Sequence, residues 1–157
     1  MEPINNSSKL LIKGLKFLYT SFLIGSIVFT AIIFYLNKQN NGLLIDDKNL
    51  CLIFWYISIA LLGLIPLSYY IYKRKVSSID TGLGFEEKIS LFKSAYMVKV
   101  IMLDASIYLT LVIFLFTNNQ YVLYQAIISI IFLALNYPYR TTIADDLNLS
   151  QEDTDKL

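Results

Sequence analysis

The sequence predicts an all-α polytopic membrane protein: a four-helix transmembrane bundle with both termini on the cytoplasmic side. Three observations predict it. Hydrophobic residues make up 56% of the 157 and charged residues only 16%, against roughly 45–50% and 25% in an average soluble domain. The apolar residues gather into four long runs separated by polar segments, more than a soluble core of this length can bury. Lysine and arginine fall almost entirely on one side of those runs.

The first run, Leu15 to Leu36, is uncharged from Lys16 until Lys38. About twenty residues at 1.5 Å each cross a hydrocarbon core of about 30 Å, so the run is long enough. The second, Leu50 to Tyr72, is uncharged throughout and stops at Lys73-Arg74-Lys75. The third, Ala95 to Thr117, carries Lys99 and Asp104. The fourth, Tyr121 to Tyr137, is the shortest and is closed by Pro138 and Arg140. Asn118-Asn119-Gln120 leaves room only for a tight link, which predicts an antiparallel hairpin of spans three and four. Barrel strands would alternate apolar and polar residues over about ten positions. Stretches such as IISIIFLALNY do not. The basic Lys9, Lys13 and Lys16 ahead of span one suit a signal peptide, but the apolar run is too long and has no A-x-A-like exit, so an uncleaved anchor is expected.

Orientation follows from the flanking charges. Lys9, Lys13, Lys16, Lys73, Arg74, Lys75, Lys88, Lys93, Arg140 and Lys156 lie on the side of the N-terminus, and Lys38 and Lys48 on the other. Ten against two predicts both termini inside and argues against a dual-topology dimer. Tyr35, Trp55, Tyr56, Tyr121 and Tyr124 would then form an outer anchoring belt. Tyr69, Tyr70, Tyr72, Tyr96, Tyr137 and Tyr139 would form an inner one, a more ordinary use of such residues than a ligand cage.

The chain divides into a transmembrane domain over 1–140 and an acidic cytoplasmic tail over 141–157. The outer loop, Asn37 to Asn49, is too short for a domain, and Asp46 and Asp47 balance its two lysines. In the inner loop, Thr81-Gly82-Leu83-Gly84 breaks the chain before Phe85, Ile89, Phe92 and Tyr96, an amphipathic helical spacing over 85–94. Glu86 and Glu87 sit in its first turn, where the helix dipole favours them. This segment either lies on the membrane surface or extends span three. Lys73, Arg74 and Lys75 serve most simply as a topology signal, and alternatively as a lipid-headgroup site. In the tail, Asp145, Asp146, Glu152, Asp153 and Asp155 outnumber Lys156. Ile143, Leu147 and Leu149 add a thin apolar stripe. A solvated tail is the simple reading; docking onto a partner or onto the basic inner loop is the alternative.

Asp104 is the residue that needs explaining. It lies nine residues into span three, roughly 13 Å deep. A carboxylate facing lipid there would cost several kcal/mol, so it is expected to face the bundle as a neutral acid. Lys99, four residues in, is expected to snorkel to the interface, and a separation of five keeps it off the face of Asp104. Tyr108 shares that face. Counting the same depth on the other spans gives Gly63 and Pro66, then Gly25 and Ser26, then Ser129. Pro66 frees the carbonyl of Leu62, an acceptor for a neutral Asp104. The expected polar layer is therefore Asp104, Tyr108, Ser26, Gly63, Pro66 and Ser129, with Ser21, Gly25, Ala60 and Gly63 allowing close helix approach. Such a layer either fixes helix packing or forms a proton relay or ligand point.

Zero His and one Cys, Cys51, exclude bis-His haem ligation, His-based catalysis, a Cys/His zinc site and an intramolecular disulfide. No Gly-rich phosphate loop, G-x-S-x-G, C-x-x-C, H-E-x-x-H or phosphatidyltransferase D-G-x-x-A-R signature occurs. No cofactor, metal or catalytic residue is expected, and a net charge of +1 argues against nucleic acid as a partner. The expected partners are the bilayer and a protein, bound through the acidic tail or as a second copy.

Glu86-Glu87-Lys88, Tyr96, Lys99, Leu103-Asp104, Tyr137-Pro138 and Asp146-Leu147-Asn148-Leu149 together resemble a group of small four-span bacterial inner-membrane proteins. In that group an E-K-x-x-x-[YF]-like segment opens span three and a D-L-x-L tail follows the last span. The resemblance covers the C-terminal half, implies no activity, and places an acid where Asp104 stands.

Overall fold

The computed structural model describes residues 4–40, 48–80 and 82–154. Asp46, Asp47, Thr81, Asp155 and Lys156 of the expected loops and tail lie outside them. The protein is all-α, 88% helical, with no strand among the described residues. Its elements are α1 (Ile4–Asn40), α2 (Lys48–Leu62), α3 (Leu64–Ser77), α4 (Phe85–Thr117), α5 (Gln120–Leu135), α6 (Arg140–Asp146) and α7 (Gln151–Thr154).

Three stretches are long and apolar enough to cross a membrane: α1, the α2–α3 pair and α4. The sixteen residues of α5 reach roughly 24 Å at the helical rise. They make a fourth candidate only together with α6, which bends away from α5 by 80°. Span two runs from Lys48 to Ser77 as one candidate crossing, with a tightened turn between α2 and α3 at Gly63, whose N–H bonds back to the Ala60 carbonyl at 3.0 Å. Pro66 sits in the first turn of α3, where a missing N–H costs least.

The segment 85–94 is continuous with α4 and extends it. Gly84 caps it, Glu86 and Glu87 fill its first turn, and Ile89, Phe92 and Tyr96 are buried. Asn118 and Asn119 alone join α4 to α5. Asn118 closes α4 in the left-handed region at φ 47°, its N–H on the Phe114 carbonyl, and the Asn119 side chain accepts from the Tyr121 N–H at 2.9 Å. A short polar Asn tolerates that conformation where a branched residue would not.

Helix α4 is central, packing on α1, α2, α3 and α5. Half of its most apolar stretch is buried, against 17% for α1 and 6% for α2–α3. The core runs along α4 through Ile89, Phe92, Tyr96, Val100, Leu103, Ile107 and Leu111. Outward, α2 leaves Leu50, Leu52, Ile53, Ile57 and Ile59 exposed, an apolar surface that suits hydrocarbon and not water.

The tail is ordered through α6. Ile143 and Leu147 are buried. Asn148 adopts φ 47°, while the Leu149 N–H reaches the Ala144 carbonyl at 3.0 Å and the Asn148 N–H that of Asp145 at 3.3 Å. Those two bonds are the Schellman closure of a helix end.

Candidate functional site

Two polar clusters lie inside the bundle, one at mid-height and one toward the end that carries Lys73, Arg74 and Lys75. At mid-height, α4 presents Asp104, which is 5% exposed. Ser26 of α1 is fully buried and donates its hydroxyl hydrogen to Asp104 Oδ1. Two residues on, the Ser106 hydroxyl donates to the Leu61 carbonyl at 3.0 Å, tying α2 to α4. Tyr108 packs its ring against Phe29 at 4.8 Å. Its hydroxyl lies over Gly25, 3.2 Å from where a β-carbon would stand. The structure thus brings Asp104, Tyr108, Ser26 and Gly25 together.

Three of the expected layer residues stand apart. Ser129 is buried, but its hydroxyl serves its own helix, on the Gln125 carbonyl at 3.0 Å. Gly63 and Pro66 are exposed. Asp104 turns to the Ser26 hydroxyl where the Leu62 carbonyl was expected. Ser106, absent from the expected layer, supplies the bond to span two. Its signal was its depth, two residues beyond Asp104 and nearer the middle of span three.

The second cluster surrounds Lys99. Its Nζ stands 4.0 Å from the Tyr72 ring centre, 4.7 Å from that of Tyr96 and 5.1 Å from that of Tyr69. The fourth side is the Asn136 amide oxygen at 3.1 Å. Asn136 organises the site. Its Oδ1 also accepts from the Tyr69 hydroxyl at 2.6 Å, its Nδ2 donates to the Phe132 carbonyl at 2.6 Å, and its own carbonyl accepts from the Tyr96 hydroxyl. Tyr19 of α1 adds a bond to the Leu133 carbonyl at 2.6 Å.

Lys99 therefore does not snorkel; it is 4% exposed. The negative faces of three rings and one amide oxygen replace the water that the ammonium would have sought at the interface. The Tyr72 and Tyr96 rings, expected in an anchoring belt, are buried with it, whereas Tyr70 and Tyr139 remain exposed. A signal existed in the sequence. Tyr69 and Tyr72 are three apart on one helix, Tyr96 and Lys99 three apart on the next, so each pair shares a face.

From this cluster the Tyr72 hydroxyl reaches on to the Asp146 carboxylate, which pins the tail to α3. Asp146 and Asn148 line a groove of about 530 Å³ with Tyr70, Tyr72, Lys73 and Arg74. Lys73, Arg74 and Lys75 are themselves exposed. Among the described residues, no three His, Cys, Asp or Glu side chains are grouped closely enough to hold a metal ion. Chemically, the two clusters can tie helices together and hold a cation or a proton in a dry place. Set against protein-family models, curated proteins and solved structures, the chain matches none.

Proposed function

We propose that the protein is a multi-pass subunit of a bacterial inner membrane, both termini cytoplasmic, acting as a non-enzymatic accessory or scaffold. One observation carries the reading. Three buried polar side chains of α4 bond to neighbouring elements: Asp104 with Ser26, Ser106 with the Leu61 carbonyl, Lys99 with Asn136. Polar groups used this way fix how helices pack, which a scaffold needs. The ten-to-two charge bias supports the orientation, and the resemblance to small four-span proteins supports the compartment. The thinly covered α2–α3 stretch, 6% buried, offers the surface for a partner helix or a second copy.

A second reading has an observation of its own. Asp104 lies among Ser26, Tyr108 and Gly25 in the middle of the bundle, and an ionisable residue at such depth is a functional candidate by default. In that reading the protein is a small proton-linked transporter or a ligand-binding membrane protein. Carbodiimide labelling of Asp104 in lipid nanodiscs across pH, with the oligomeric mass measured in parallel, tests both. The scaffold reading expects an unreactive Asp104 wherever the protein stays folded. Labelling that titrates and is blocked by a cation or small solute overturns it in favour of transport.

A further inference from the structure

Lys9, Lys13 and Lys16 are spaced four and three apart on α1, so they share one face of that helix. The bend after Pro138 brings a fourth cation to them from the far end of the chain. Together Lys9, Lys13, Lys16 and Arg140 line a cavity of about 300 Å³, with Ile12 as its apolar wall. Among the described residues, no carboxylate lines it. Lys93 approaches α1 from another side, its Nζ 3.9 Å from where a Gly14 β-carbon would stand. Like charges held one helical turn apart repel. The fold nonetheless places Arg140 here, while Asp146, at the other end of the same short helix, bonds Tyr72.

An adjoining face of α1 turns apolar beyond the cavity. Phe17, Ile24 and Val28 follow at intervals of seven and four, and are 71%, 55% and 50% exposed. Those intervals keep them in one line along the helix. An anionic cavity ligand with a long apolar continuation fits both halves, whereas a free anion fits only the first.

We propose that this cavity is a binding site for an anionic phospholipid, its phosphodiester among Lys9, Lys13, Lys16 and Arg140 and an acyl chain along Phe17, Ile24 and Val28. The site rests on the membrane reading above, and is separate from Lys73, Arg74 and Lys75. Each cation contributes about fivefold in affinity for an anionic headgroup near the surface.

The test uses the full chain in nanodiscs of equal phosphatidylglycerol and phosphatidylcholine, extracted into mild detergent, with retained lipid identified by native mass spectrometry. The expected result is retention of phosphatidylglycerol over phosphatidylcholine, weakened about 25-fold in K13Q/R140Q and preserved in Arg140→Lys. If K13Q/R140Q does not fold, K9Q/K16Q is read in its place. Equal retention of the two lipids overturns the proposal, as does an unchanged preference in the double variant. An equal loss in K73Q/R74Q/K75Q overturns it as a local site. Displacement of the lipid by millimolar inorganic phosphate makes the ligand a free anion, and also overturns it. A chain that does not enter bilayers at all sinks the membrane reading first, so the two failures are distinguishable.

Discussion

Lys99 of α4 and Tyr72 of α3 face one another inside the bundle, the ammonium nitrogen 4.0 Å from the ring centre, while the hydroxyl of the same tyrosine bonds Asp146 of the tail. One aromatic side chain thus joins a buried cation to the cytoplasmic segment proposed to lie outside the membrane. The Asn136 amide completes the link by holding both Lys99 and Tyr69. The three helices meeting here are tied through one another, and loosening any of these groups should be felt by the others.

That coupling is measurable. Lys99→Met keeps the length of the side chain and removes its charge, and Tyr72→Leu removes the ring. A desolvated cation–π contact contributes about 2 kcal/mol. The double-mutant cycle, followed by unfolding in detergent, is therefore expected to show a coupling of about 1–2 kcal/mol. Additive single effects would mean that the ring only fills space beside Lys99.

The Ser26–Asp104 bond makes a prediction about chemistry as well as packing. In Asp104→Asn the amide oxygen still accepts from Ser26, so stability should change little. Asp104→Leu removes one acceptor of the Ser26 hydroxyl and leaves Tyr108 beside it, and hydrogen bonds between membrane helices average about 0.6 kcal/mol with a maximum near 1.7. A loss of about 1 kcal/mol is expected for the Leu variant, measured as the shift in its unfolding midpoint. A scaffold keeps its assembly and phenotype in the Asn variant. Full loss of phenotype in a stable Asp104→Asn protein would require the acid itself.

How legible all this was depends on how local each feature is. The Asn118-Asn119 link and the chain break before Phe85 were readable, because each is decided by a few adjacent residues; that 85–94 joins α4, and that α5 ends at Leu135 ahead of Tyr137, were not. Depth was readable too, since counting residues along spans brought Ser26 and Asp104 to one level. Rotation was not. Counting says how deep a residue lies and not which way its helix turns. Pro66 and Gly63 were therefore assigned inward and are exposed, and the bond to span two comes from Ser106. The Lys99 cage lay further out of reach. It assembles Tyr69 and Tyr72, Tyr96, and Asn136 from three helices, and no single stretch of sequence contains it.

Gly25 is where the mid-height cluster is tightest. A β-carbon there would stand 3.2 Å from the Tyr108 hydroxyl, close enough that the tyrosine must give by a few tenths of an ångström. Overpacking against that hydroxyl is expected to cost Gly25→Ala about 1 kcal/mol, set against the roughly 0.5–1 kcal/mol that Ala gains over Gly inside a helix. In a Tyr108→Phe background the obstructing oxygen is gone and most of that cost should vanish. Equal costs in both backgrounds would place the strain elsewhere on α1.

The tail offers the last check, and it separates docking from mere proximity. Ile143 and Leu147 are buried, and Leu147 lines a cavity with Val76 of α3 and Ile79 of the turn that follows it. Apolar burial and the Tyr72–Asp146 bond therefore both hold α6 down. Removing the acid in Asp146→Ala takes away one hydrogen bond to a charged group, worth about 1.5–3 kcal/mol. Placing a charge at Leu147→Asp takes away the apolar contact and adds a buried carboxylate. Hydrogen exchange over 140–149 should accelerate in Asp146→Ala and reach the rate of a free peptide in Leu147→Asp, while α4 stays protected in both. Tyr72→Phe should accelerate exchange in the same direction as Asp146→Ala, because the two remove opposite ends of one bond. Unchanged exchange in all three variants would mean that α6 holds its place without either contact.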